Sequence, residues 1–439
     1  MKRSRMLLAV LLAVPLFATD LTPKEERLQT LKFGIETEII DLVRTLQQEK
    51  NRDFLDELAG IFRSARNTDL KELLLGYFLD LKDNHLENDA IKELSQPEKK
   101  SNSFLLTAVS YLTGIKSKAS EAVFVQLMTD KNKTLALASI RALAKIEATG
   151  RVGEILKIYK DAETDVNFKP DIIWALGEMK ARDAVDPLLK EYEESDNEPL
   201  LQGTILAALG KIGDARAWNL VQTALDSDNS DLRAAAVGTL GSFPGHFELA
   251  TDLTKALRDA QVNVRLAGAD AAATLKIPEL QEILLFRVKK DPEARVRTAC
   301  LRALAAYDGG ATPVLALLSD RKTDFSVWRE ALNQAIDKKW SGVSEALQKV
   351  LDEENKAKNG ALAPVIAGAL LPTRDSYRTL FGVLLLNDSV TSRSLALRAI
   401  AAGNFREYEP VVRNLSVKDP DVNIKAQATA ILKTWTATP

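Results

Sequence analysis

Apolar and small residues recur along this chain at a fixed interval. Every thirty-second position from Leu112 onward is apolar or small: Leu112, Ala144, Leu176, Ala208, Leu240, Ala272, Leu304, Ile336, Gly368, Ile400 and Leu432. Whole stretches around that column repeat as well, as in "DLRAAAVGTLG", "NVRLAGADAAA", "RVRTACLRALAA" and "RSLALRAIAAG". Within each stretch the apolar positions follow helical spacing; in the third, Val296, Cys300, Ala303 and Leu304 fall within about 100° of one another on a helical wheel. A turn with Gly, Asp or Pro leads from each such helix into a second one. One helix pair cannot bury its apolar face alone, so the pattern predicts an all-α stack of antiparallel pairs, a right-handed α-solenoid.

The interval extends backward in weaker form through Leu46, Leu79 and Leu112. Residues 19–101 therefore read as degenerate helical repeats, and 102–439 as the regular array ending in a single capping helix. The polar stretches 96–102 and 352–360 are candidate joints between helices. Around the second, Ala361 stands where the register calls for Arg and Gly368 where it calls for Leu, so the array is least regular there.

The first eighteen residues follow a different pattern. Lys2, Arg3 and Arg5 precede an apolar run from Met6 to Phe17, and Ala18 follows as a small residue for cleavage. That is the layout of a secretory signal peptide over 1–18, and the run falls short of the roughly 20 apolar residues of a membrane span. The expected address is periplasmic or secreted, without stable membrane insertion once the signal is cut. Its removal takes away three basic residues and no acidic one, moving the net charge from −2 to about −5. Short, balanced basic blocks on an acidic protein disfavour nucleic acid as a partner.

Catalytic and cofactor chemistry finds little footing. The two histidines, His85 and His246, stand in unlike contexts, and the single cysteine, Cys300, sits among core residues. No metal-ligand spacing, phosphate-binding glycine loop or nucleophile elbow occurs, so no catalytic, metal or cofactor-binding residue is assigned and no cofactor is expected.

At "ALGEMKARDAVDPLL", "ALGKIGDARAWNLVQTAL" and "KDPEARVRTACLRALAAY" the chain resembles HEAT repeats, in particular the bacterial phycobilisome-lyase-type variety, well over 130–439 and loosely over 24–129. The resemblance implies a HEAT/armadillo-like superhelix. It also implies a structural ladder, in which a turn Asp and an Arg six residues later bond across successive repeats. Asp259 with Arg265 and Asp291 with Arg297 fit that spacing, and Arg233, Arg265, Arg297 and Arg329 recur at 32.

In HEAT proteins the second helix lines the concave side, which would put the residue five places after each Arg in the groove. That column runs through Trp174, Leu206, Gly238, Asp270, Arg302, Gln334, Ile366, Arg398 and Ala430. Trp174, Asp270, Arg302, Gln334 and Arg398 are its candidate partner-binding residues, and their mixed charge suits a polar peptide. The leading expectation is an exported, non-catalytic scaffold that binds a protein or peptide. A phycobilin-lyase-like chromophore chaperone and a structural spacer in an envelope complex are the alternatives.

Overall fold

The computed structural model describes residues 22–161, 166–246, 248–357 and 360–437. Residues 1–18, the expected signal peptide, lie outside them. Every regular element among the described residues is helical, and the helices form an α-solenoid of stacked pairs. Contacts divide the chain into two compact units, 1–183 and 184–439. The stretch 96–102 is a short 3-10 turn, Pro97–Lys99, followed by the Ser101 cap of the helix Asn102–Gly114, inside the first unit.

In the second unit the pairs include Leu249–Leu257 with Val262–Leu275, and Gln281–Lys290 with Ala294–Ala306. The second helix of each pair packs both on its own first helix and on the second helices of adjacent repeats. Small residues permit that approach: a Cβ added at Gly203 would lie 2.8 Å from the Ala235 Cβ. The Ala-rich text of these helices thus serves close packing as well as helix propensity. Val296, Cys300, Ala303 and Leu304 are all fully buried, and burial pushes the Cys300 thiol up to about 12, leaving it a packing residue. The final pair is Glu409–Lys418 with Val422–Ala437, so the last helix is the second member of a pair and not a lone cap.

The register of 32 is not uniform, and one slip changes the expected core and ladder. Helix starts at the caps Asn229, Gln261 and Glu293 keep the interval, but the next cap, Asp324, arrives one residue early. Ala335 and Ala367 consequently fill the core places expected for Ile336 and Gly368, and Gly368 is exposed. Beyond it the usual short turn is replaced by the 3-10 segment Leu371–Tyr377, in which Thr373 leaves helical geometry.

Most of the second helices end in a left-handed residue, a place that favours Gly. Here it is often lysine: Lys50, Lys82, Lys116, Lys180, Lys276 and Lys339 all have φ near +50°. A cation at a helix C-terminus interacts favourably with the helix dipole, which offsets part of the backbone cost. Lys276→Gly relieves a left-handed strain of about 1–2 kcal/mol while adding chain entropy to the unfolded state, so a net gain of up to about 1 kcal/mol is expected. The urea midpoint of the second unit measures it; a lower midpoint would show that the dipole attraction outweighs the strain.

Candidate interaction surface

The edge of the array is fixed by the arginines four residues into the second helices. Arg265 sits in the first turn of Val262–Leu275, where one guanidinium nitrogen donates to the carbonyls of Asp259 and Ala260, each at 2.9 Å. The other two reach forward to the next repeat, donating to the Asp291 carboxylate at 2.9 and 3.1 Å. Arg233 repeats this with Asp259 at 2.9 and 3.0 Å, and Arg393 donates to Asp419 at 3.0 Å. Each rung therefore spans 26 residues, and the Asp six residues before an Arg contributes its carbonyl, not its carboxylate. Each aspartate is also fixed from its own turn, accepting from the backbone N–H two residues on, as Asp259 does from Gln261 at 2.8 Å.

Burial would raise the Asp259 carboxyl, but the Arg233 guanidinium and the Gln261 N–H outweigh it and hold it below the usual carboxylate range. Its contribution to stability is therefore present above the unfolded value of about 4 and is lost as pH falls through the lowered folded value.

The ladder frays where the register slips. Arg297 meets the cap residue Asp324 at 3.3 Å instead of a turn aspartate. Arg329 is no rung at all: it is exposed, with its guanidinium 5.9 Å from the Phe325 ring. Its expected seat, four residues into the helix Phe325–Asp337, belongs to Trp328, which is buried and donates its indole N–H to the Leu318 carbonyl at 2.8 Å.

On the outward face of the second helices, Asp270, Arg302 and Arg398 are exposed and Gln334 is half-buried. Gln334 donates to Glu330 at 3.0 Å, and Arg302 lies 3.7 Å from the same carboxylate. Glu330 thus joins Arg302 to Gln334 across two repeats; sequence reasoning missed it, although its place four residues before Gln334 puts it on the same helical stripe. Asp270 borders a shallow hollow with Gly238, Gly241, Ser242, Ala267, Ala271 and Thr274. Arg398 makes no ion pair among the described residues. Trp174, half-buried, belongs to the first unit, and the other four candidates belong to the second. The column itself is interrupted: Leu206 and Ile366 are fully buried, and Ala207 is exposed beside the first.

Among the described residues no group of His, Cys, Asp and Glu side chains has the arrangement of a metal site, and no helix is long and apolar enough to cross a membrane. Helix pairs stacked in series, tied along one edge by Arg–Asp rungs, define an α-solenoid repeat protein. The family model described as spirochaete HEAT repeat protein matches residues 31–431, and the chain belongs to that family. No curated protein matches it. Among solved structures, the CpcE–CpcF complex of phycocyanin lyase from Nostoc is 17% identical, with 56% of this chain and 92% of that one covered at a TM-score of 0.38. Kap95p, solved with RanGDP, is 12% identical, with 94% and 66% covered at 0.42. Kap121p is 14% identical, with 90% and 57% covered at 0.34.

Proposed function

We propose that this HEAT repeat protein is an exported, non-catalytic scaffold that holds a protein or peptide partner on the exposed face of its second helices. The observation that carries the reading is the Arg302, Glu330 and Gln334 constellation with Asp270 and Arg398 on the same array: charged groups held on rigid helices with both signs interspersed, which suits a polar polypeptide. Residues 1–18 supply the export signal, with cleavage near Ala18. A nucleic-acid partner is disfavoured, because the chain without residues 1–18 is acidic and the ladder arginines Arg233, Arg265 and Arg393 are each paired with an aspartate.

The test places a photo-activated cross-linking residue at Ala207, beside the column, and reverses the charges of Asp270, Arg302 and Arg398 together. The expected result is a discrete cross-linked partner that disappears on reversal while helicity is unchanged. Unaltered cross-linking after reversal would remove this face from consideration. Fractionation with N-terminal sequencing tests export separately, and a new visible absorption band on mixing with bilins would favour the lyase-like alternative.

A further inference from the structure

One rung of the ladder has its acid but not its base. Four aspartates among the described residues share both a turn geometry and a place, each accepting from the backbone N–H of the residue that immediately precedes a second helix: Asp130 from Asn132 at 2.7 Å, Asp259 from Gln261 at 2.8 Å, Asp291 from Glu293 at 3.0 Å and Asp419 from Asp421 at 2.9 Å. The last three each hold an arginine from the fourth position of the preceding second helix, namely Arg233, Arg265 and Arg393. The equivalent position before Asp130 is the fourth residue after the Ser101 cap, and that is Leu105. Leucine is too short and too apolar to reach the carboxylate.

The place of the missing side chain is open. A hollow of about 640 Å³ is lined by Leu105, Leu127 and Leu135 together with Asp130, Glu98 and Gln126. Apart from the Asn132 N–H, the Asp130 carboxylate has no partner among the described residues. Of the lysines on the rim, Lys100 is already paired with Glu93, and Lys131 is exposed and forms no ion pair.

We infer that this hollow is a receptor for the arginine side chain of a partner polypeptide, which completes the rung in trans. The chain itself shows the bound form three times over. A guanidinium at this carboxylate makes two parallel hydrogen bonds, a geometry that an ammonium cannot copy. The aliphatic stem would lie against the leucines, and Glu98 offers a second carboxylate near the mouth. The site belongs to the first unit and shares no residue with the column of Asp270, Arg302 and Arg398, so it stands independently of the surface proposed above.

The probe is the capped tripeptide acetyl-Gly-Arg-Gly-amide, with lysine and citrulline versions and free L-arginine as comparisons, titrated into the full-length protein while the Asn132 backbone amide is followed by NMR. The arginine peptide should shift that resonance saturably, the lysine peptide should bind at least about tenfold more weakly, and the citrulline peptide should leave it unmoved. Asp130→Asn should weaken arginine binding by about tenfold or more while preserving the turn, since Asn387 makes the same turn bond to the Ser389 N–H at 3.0 Å. Leu105→Arg should fill the seat in cis, abolishing binding and raising the melting temperature of the first unit. Equal binding by wild type and Asp130→Asn, or no shift at about 10 mM peptide, would overturn the proposal. So would tighter binding of free L-arginine than of the capped peptide, which would make the site a small-molecule pocket.

Discussion

Arg265→Ala is expected to destabilise the second unit by about 3–5 kcal/mol, because it removes one partner of a buried ion pair and leaves the other in place. Arg265 and Asp291 are 5% and 2% exposed, the most deeply buried rung of the ladder. Asp291 would keep the Glu293 N–H at 3.0 Å and a long contact to Arg287 at 3.5 Å, neither of which replaces two direct guanidinium bonds. The same truncation leaves the carbonyls of Asp259 and Ala260 without their donor. Arg265→Lys keeps the charge but not the fork, so an intermediate loss of about 1–2 kcal/mol is expected.

Because repeats touch only their neighbours, the damage should also be local. Hydrogen exchange should accelerate first in Val262–Leu275 and Ala294–Ala306, on either side of the rung. Added salt should not rescue or mimic the effect, since a buried pair is poorly screened. A loss within about 0.5 kcal/mol of wild type would show that water enters the rung and solvates Asp291.

The rungs also show what a sequence can and cannot disclose. The interval of 32 is legible because the second helices carry the core, and a core position cannot drift without exposing an apolar side chain; Leu112, Leu176, Leu240 and Leu304 are all fully buried. The partner of each arginine is another matter. Counting along the chain pairs Arg265 with Asp259 six residues away, yet in a first turn of helix the guanidinium lies over the carbonyls of its own turn and extends into the next repeat. A separation of 26 reflects the stacking of repeats and has no local signature.

The slip at Asp324 was hidden for a related reason. Arg329 satisfies the interval from Arg297, and nothing in the text "DFSVWREAL" tells that the helix begins one residue early. Only the capping hydrogen bonds from the Ser326 and Val327 N–H groups to Asp324 fix the start, and they carry Trp328 inward and Arg329 outward. The same one-residue shift accounts for Gly368 at an exposed position, where no leucine was required. The interruption of the surface column at Leu206 is legible only in retrospect. Its helix is capped at Glu198, 31 residues before the Asn229 cap, which turns Ala207 outward in its place.

Trp328→Ala is expected to cost about 3–5 kcal/mol, the range for removing a large buried aromatic side chain whose site collapses only in part. Trp328 heads the fully buried side chains by volume, and it stands where other repeats place a ladder arginine. The substitution both opens a cavity and deprives the Leu318 carbonyl of its indole N–H donor at 2.8 Å. Trp328→Phe separates the two effects. The ring retains most of the packing, so a loss of about 1–3 kcal/mol would report chiefly the unsatisfied carbonyl. Trp328→Arg tests the register directly: in the place of a rung, a flexible guanidinium can still donate to carbonyls of the preceding turn, so it should be tolerated better than alanine. If Trp328→Ala unfolded at the wild-type midpoint while Arg329→Ala did not, the helix would begin one residue later than described and Arg329 would be the rung.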